Sequence, residues 1–226
     1  TEASPLHDKA VRSAIAHIIN YDSMAKIIGN STTPGAAPFP PSANLGYDSI
    51  ANKPMTDVAK ADQILTQAGY AKNANGIYAK DGKELALTLA IWGKDTSLYE
   101  EIQQELKQAG IAVTLKKLQS PGDVDTLGTD GFDMVERAVV TMSTNDPYWY
   151  LSLFYKTGAK ANVGAYSNPQ VDALIDQLSV TFDQNARANE AKQAQQLLVD
   201  DVADIYLLYP SATVVSTTKV KNVPVH

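Results

Sequence analysis

The sequence predicts an α/β fold, a mixed sheet flanked by helices, and three observations carry that reading. Stretches with apolar residues at helical spacing alternate with short apolar runs of strand length. Glycine, proline and asparagine or aspartate stand at most of the joins. No repeat, low-complexity tract or composition break divides the 226 residues, so one domain is expected. Strand and helix patterns that interleave place helices against a shared sheet.

The first helix is expected over residues 6–20, because Val11, Ala14, Ile15 and Ile18 make one apolar face. A shorter helix follows Asp22. Residues 31–44 gather Pro34, Gly35, Pro38, Pro40 and Pro41 and read as a surface loop, with Phe39 and Leu45 giving it something to bury. Thr56 or Asp57 caps a helix whose buried face is Ala61, Ile64, Leu65 and Ala68, and Gly69 ends it. Lys80, Asp81, Gly82 and Lys83 form a tight hairpin turn between a strand at 77–79 and a longer one at 85–92. A helix at 97–109, closed by Gly110, leads to strands at 111–118 and 132–140.

Beyond these lie a polar loop, residues 141–146, and an aromatic cluster of Tyr148, Trp149, Tyr150, Phe154 and Tyr155. Asn168 caps and Pro169 begins a helix carrying Val171, Leu174, Ile175 and Leu178 on one face. A second long helix spans 184–202, and strands at 205–209 and 213–216 close the chain.

Composition excludes several function classes. The net charge of −6, from 19 basic and 25 acidic residues, supplies no field to hold nucleic acid. No apolar run is long enough to span a bilayer. The absence of cysteine removes disulfides, thiolate metal sites and cysteine nucleophiles. His7, His17 and His226 have no spacing that suits zinc, and no glycine-rich phosphate cradle or nucleophile elbow is present. Asp123, Asp125, Asp130 and Asp133 lack the fixed glycine and glutamate of a calcium loop and read as solvated turn residues. No catalytic residue, metal site or cofactor is therefore expected.

One strand is unusual. Glu136 and Arg137 interrupt an otherwise apolar run, and a charge there is costly unless it is paired or meets a ligand. Arg137 and the loop after it, Thr141, Met142, Ser143, Thr144, Asn145 and Asp146, are the candidate ligand-binding residues. The alternatives are that Glu136 and Arg137 are partnered internally or lie on a strand edge facing water.

The segment Asp8-Lys9-Ala10-Val11-Arg12-Ser13-Ala14-Ile15, running on to Asp22, resembles the opening D-x-x-V-R-x-A-I block of the peptide/nickel-type (family 5) extracellular solute-binding proteins of ABC importers. Ala59-Lys60-Ala61, Ile64-Leu65 and Ala68-Gly69-Tyr70 are similar to a later helix of that family. Phe132-Asp133 leads into its sheet strand, and Asp146-Pro147 lies in the loop after it. Residues 162–175, N-V-G-A-Y-S-N-P-Q-V-D-A-L-I, and then Gln195-Gln196-Leu197-Leu198 with Ile205-Tyr206-Leu207-Leu208-Tyr209, follow in the same order.

The resemblance implies a type II periplasmic-binding-protein-like lobe, the C-terminal one of a larger two-lobed protein whose N-terminal lobe is absent. It implies a monomer that takes up a peptide or other small-molecule solute and delivers it to ABC permease subunits. The location implied is extracytoplasmic, periplasmic or as a cell-surface lipoprotein, with signal and anchor outside this fragment. Residues 1 and 226 are then expected to be neighbours in space, since an inserted lobe leaves and returns at one place.

In the oligopeptide branch an Arg in the strand and an Asp six residues later hold the ligand's termini. Arg137 matches the Arg, whereas Ser143 stands at the Asp position and does not pair with a free ammonium. The nickel branch presents aromatics and a nearby histidine, which Thr141, Asn145 and residues 156–164 do not supply. Three other readings stand beside the peptide one: a binder of a nickel chelate, metallophore or opine; an enzyme using Glu136 and Asp146 as acid and base; and an interaction module built on the aromatic cluster.

Overall fold

The first helix starts one turn later than its periodicity suggests, because Asp8 intervenes as a cap. A computed structural model of the chain describes residues 4–29, 32–120, 122–124, 131–141 and 146–210. Residues Pro5–His7 form a single 3₁₀ turn, and the Asp8 carboxylate then accepts from the Ala10 amide at 2.9 Å to open α1 (Lys9–Ile18). Val11, Ala14, Ile15 and Ile18 are buried, as their spacing requires. Asn20 caps α2 (Tyr21–Ile28) in the same way.

The proline-rich segment is more ordered than a loop. Thr32–Pro34 form β1, which pairs antiparallel with β8 (Leu208–Pro210). Gly35 continues the contact by donating to the Leu207 carbonyl, and a Cβ at Gly35 would lie 2.4 Å from the Tyr206 carbonyl oxygen. Phe39 and Leu45 are buried, and the Gln195 side chain, itself fully buried, accepts from Phe39 N and donates to Leu45 O.

Of the two cap candidates before α3 (Val58–Gln67), Asp57 is the cap and Thr56 instead donates to the Ile19 carbonyl. Gly69, at φ +88°, closes the helix. A small antiparallel sheet follows, of β2 (Ala71–Lys72), β3 (Tyr78–Lys80) and β4 (Lys83–Glu84). Asp81 and Gly82 both have positive φ, the geometry of the tight turn expected there, but the strand it returns to is β4, and the longer strand expected as its partner belongs to the main sheet.

The main sheet has three parallel strands in the order β6–β5–β7, with β5 (Ala86–Ile91) central. From β5 the chain passes through α4 (Ser97–Ala109) to β6 (Ala112–Lys117) on one side and then to β7 (Met134–Val135) on the other. Helix α4 has the expected bounds, with Gly110 at φ +103° where a Cβ would meet the Gly76 carbonyl oxygen at 2.7 Å. The strand expected over 132–140 is a correction: only Met134–Val135 are strand, Glu136 makes the last amide bond to β5, and residues 137–140 leave the ladder.

Three further helices complete the described chain: α5 (Pro147–Phe154), α6 (Pro169–Leu178) and α7 (Gln184–Asp200). Their apolar faces enclose a core of Phe39, Leu151, Val171, Ile175, Leu178 and Leu198. A second core, around Ile15, Leu65, Leu85, Leu106 and Ile111, lies between α1, α3, α4 and the sheet. Arg12 links the two regions, donating to the carbonyls of Asp201 and Val202 at 2.7 and 3.0 Å and to that of Leu6 at 2.8 Å. The expected strand at 213–216 and residues 1 and 226 lie outside the described residues.

Candidate functional site

Strand β5 connects to β6 on one side and meets β7 on the other, so the β5/β7 boundary is where the connections diverge. Crevices outside the carboxyl ends of such strands are where open α/β sheets gather ligands. The segment leaving β7 there is 136–146, which includes the charged pair and the polar loop.

Glu136 closes that end of the sheet. Its amide donates to the Ala90 carbonyl at 3.0 Å, and its carboxylate accepts from the Trp92 amide at 2.6 Å. The Tyr99 hydroxyl also bonds to this carboxylate, and burial first, then that bond, pushes the phenol up from its usual range. The side chain thus turns back onto the end of β5.

Arg137 points elsewhere. It is exposed; one N–H donates to the Ala161 carbonyl at 3.0 Å, and the guanidinium stacks over the Phe154 ring at 4.6 Å from the centroid. These two contacts fix the plane of a five-donor fork without using most of it. The partnership between Glu136 and Arg137 that the sequence left open is not formed: each has its own partner.

The carbonyl that receives Arg137 belongs to a loop held by its own motif residues. Asn162 brackets Tyr166, accepting from its amide at 3.0 Å and donating to its carbonyl at 2.8 Å. Tyr166 and Asn168 both donate to one oxygen of Asp201, at 2.6 and 2.8 Å, tying the loop to the end of α7. Asn168 also caps α6.

Asp146 anchors the far end of the polar loop. Its carboxylate accepts the Tyr148 amide to cap α5 and forms a two-pronged pair with the Arg187 guanidinium at 2.5 and 2.6 Å. Thr141 is half-buried. Met142, Ser143, Thr144 and Asn145 lie outside the described residues.

The aromatic cluster divides by function. Tyr150 and Tyr155 are buried, whereas Tyr148 and Trp149 face outward on the first turn of α5. Phe154 touches both Tyr150 and Trp149. Below Tyr150 lies a feature that sequence reasoning missed: Tyr155 donates to Asp204 at 2.6 Å while its oxygen lies 3.1 Å from that of Tyr150 and 3.2 Å from that of Tyr206. Burial raises all three phenols above their usual range. Asp204 sits between a helix end and a strand in sequence, with no motif around it to mark it.

No group of three or more His, Cys, Asp or Glu side chains suited to a metal ion occurs among the described residues. His17 uses Nδ1 on the Met55 carbonyl. The acidic residues read as solvated turns divide as well: Asp133 is instead structural, accepting from Ser4 Oγ and the Thr88 amide, and Asp123 accepts from the amides of Gln119 and Ser120. Asp125 and Asp130 lie outside the described residues. No helix among the described residues is long and apolar enough to cross a membrane.

With this architecture, the chain belongs to the bacterial extracellular solute-binding proteins, family 5, whose "Middle" model matches residues 1–162. The fold is that of type II periplasmic binding proteins. It superimposes on a nickel ABC transporter structure from Bacillus halodurans with a TM-score of 0.81 at 24% identity, over 92% of this chain and 44% of that one. Among curated relatives, the chain is 28% identical to a probable D,D-dipeptide-binding periplasmic protein of Escherichia coli over 97% of its length and 41% of the relative's. It is 26% identical to a nickel-binding protein of Staphylococcus aureus, over 95% of its length and 42% of the relative's. The chain thus spans about two fifths of the curated relatives it matches.

Proposed function

We propose that this chain is the C-terminal lobe of a two-lobed solute-binding protein that captures a peptide or peptide-like acid and delivers it to an ABC permease. Arg137 is the anchor for a ligand carboxylate, and residues 141–146 supply hydroxyl and amide groups that bond neutral backbone without selecting charge. The observation that carries this reading is the fixed, exposed fork of Arg137 at the carboxyl end of the sheet. A planar guanidinium matches a carboxylate with two parallel bonds.

The second lobe closes over this wall by hinge motion, and the closed form is what the permease engages. The protein acts as a monomer outside the cytoplasm, in the periplasm or held at the cell surface by a lipid anchor. The names of the relatives support either a peptide or a nickel chelate as cargo. A chelate with free carboxylates meets the same fork, so both cargoes predict the same role for Arg137.

Binding rather than catalysis is supported by the separate partners of Glu136 and Asp146, the two carboxylates an enzyme would use here. Incubation of the two-lobed protein with a pool of peptides and metabolites, followed by mass spectrometry, tests this. Stoichiometric retention of an acidic solute without turnover is the expected result. Conversion of a pool member into product sinks the reading.

A further inference from the structure

A line of contacts runs inward from the exposed guanidinium. Arg137 stacks on Phe154, the Phe154 ring lies 5.1 Å from that of Tyr150, Tyr150 meets Tyr155 through their hydroxyls, and Tyr155 donates to Asp204. Only one Asp204 oxygen is used by Tyr155. The residue keeps open surface and also lines a cavity of about 30 Å³ with Ser13, His17, Asn52 and Tyr206. That is room for one or two waters.

We propose that Asp204 is the charge-setting residue of the Arg137 wall: ionised, it offsets the arginine and weakens the wall's hold on a carboxylate, and protonated, it leaves the guanidinium unopposed. The inference rests on the carboxylate-anchoring role given to Arg137 above. It deepens that role by making ligand charge selection depend on a residue 67 positions away in the chain.

The electrostatics agree in sign. Dense packing raises the Asp204 carboxyl above its usual range, while the Tyr155 bond and the Arg137 charge pull it back down. The same Arg137 charge is felt at the Tyr150 hydroxyl. Tyr150, Tyr155 and Tyr206 face the carboxylate from α5 and from the segment before β8, and all stay neutral at ordinary pH because burial raises them. His17, on α1, also lines the cavity. Its contribution is separated by observing Asp204 directly and by a His17→Gln variant.

The test uses this chain and two nuclear magnetic resonance observables, the Asp204 carboxyl carbon and the Arg137 side-chain nitrogen. In the ligand-free chain, Arg137→Gln is expected to move the Asp204 titration to higher pH, with His17→Gln leaving that difference in place. With formate as the carboxylate probe, Asp204→Asn is expected to lower the concentration that half-saturates the Arg137 response by about threefold to tenfold at neutral pH, the size of a charge–charge interaction near a protein surface. Wild type approaches the variant as Asp204 protonates. Tyr155→Phe, which removes the bond favouring the ionised form, moves the Asp204 titration up and gives a second reading if Asp204→Asn does not fold.

An Asp204 titration indifferent to Arg137→Gln overturns the proposal. So does a formate response equal in wild type and Asp204→Asn at every pH. If Arg137→Gln shifts Asp204 but formate perturbs Arg137 in no variant, the anchoring role of Arg137 is what fails, and the selectivity built on it fails with it.

Discussion

At the scale of single residues, several side chains that matched family motifs hold the backbone in place. Gln195 is the clearest case: fully buried in α7, it satisfies one amide and one carbonyl of the proline-rich segment, at Phe39 and Leu45. Buried backbone groups left without partners cost about 1–3 kcal/mol each. Gln195→Leu keeps the volume and strands both groups, so it is expected to destabilise the fold by about 2–5 kcal/mol in urea unfolding, summing two such penalties with partial relief by water. A loss under about 0.5 kcal/mol, the usual range for an inconsequential substitution, contradicts this account. The motif residues Asn162 and Asn168 work alike, each side chain meeting two or more backbone or carboxylate groups. Asp204 stood out in no way, because its hydrogen-bond partner Tyr155 lies far from it in the chain and meets it only through the tertiary fold.

At the scale of elements, helices were legible and short strands were not. The bounds of α4 and the caps of α3 and α6 follow from residues within one turn, where propensity and capping act. Helix α5 carried the same signal, Asp146 then Pro147 in place of Asn168 then Pro169, yet its run of aromatics masks the helical period. Strand β1 holds Pro34 and finds its partner more than 170 residues later, so no local pattern announces it. The pairing depends on Gly35, where the chain passes against the Tyr206 carbonyl too closely for any side chain. Gly35→Ala is expected to lower stability by about 1–3 kcal/mol, the usual cost of forcing atoms into a packed site. Faster amide exchange at the paired residues 33 and 209 is the accompanying sign; unchanged stability and exchange contradict the role given to this contact.

At the scale of the whole molecule, the cores account for folding, and on the proposed reading the wall accounts for binding. The two apolar clusters give the chain a core of its own. On the proposed reading it presents one face of a cleft that needs a second lobe to bury its ligand, since sites for small solutes enclose most of the ligand's surface. Calorimetry is expected to show much weaker binding to this chain than to the two-lobed protein. Equal affinity for the two contradicts the lobe assignment. The proposed site was suggested by an arginine that breaks an apolar run, whereas the contacts that aim it, Phe154 and the Ala161 carbonyl, come from segments with no pattern pointing to residue 137.

The most direct measurement is the affinity of the two-lobed protein for an N-acetylated tripeptide with a free carboxyl terminus, compared with its amide, in wild type, Arg137→Ala and Ser143→Ala. If Arg137 holds the carboxylate by charged hydrogen bonds, Arg137→Ala weakens binding of the acid by about 1.5–3 kcal/mol, roughly tenfold to a hundredfold or slightly more. The amide is bound weakly by wild type and is little changed by the substitution, and Ser143→Ala costs far less than Arg137→Ala. Unchanged affinity for the acid in Arg137→Ala, with the fold intact by circular dichroism, means that the arginine only braces the loop and that the carboxylate is held elsewhere.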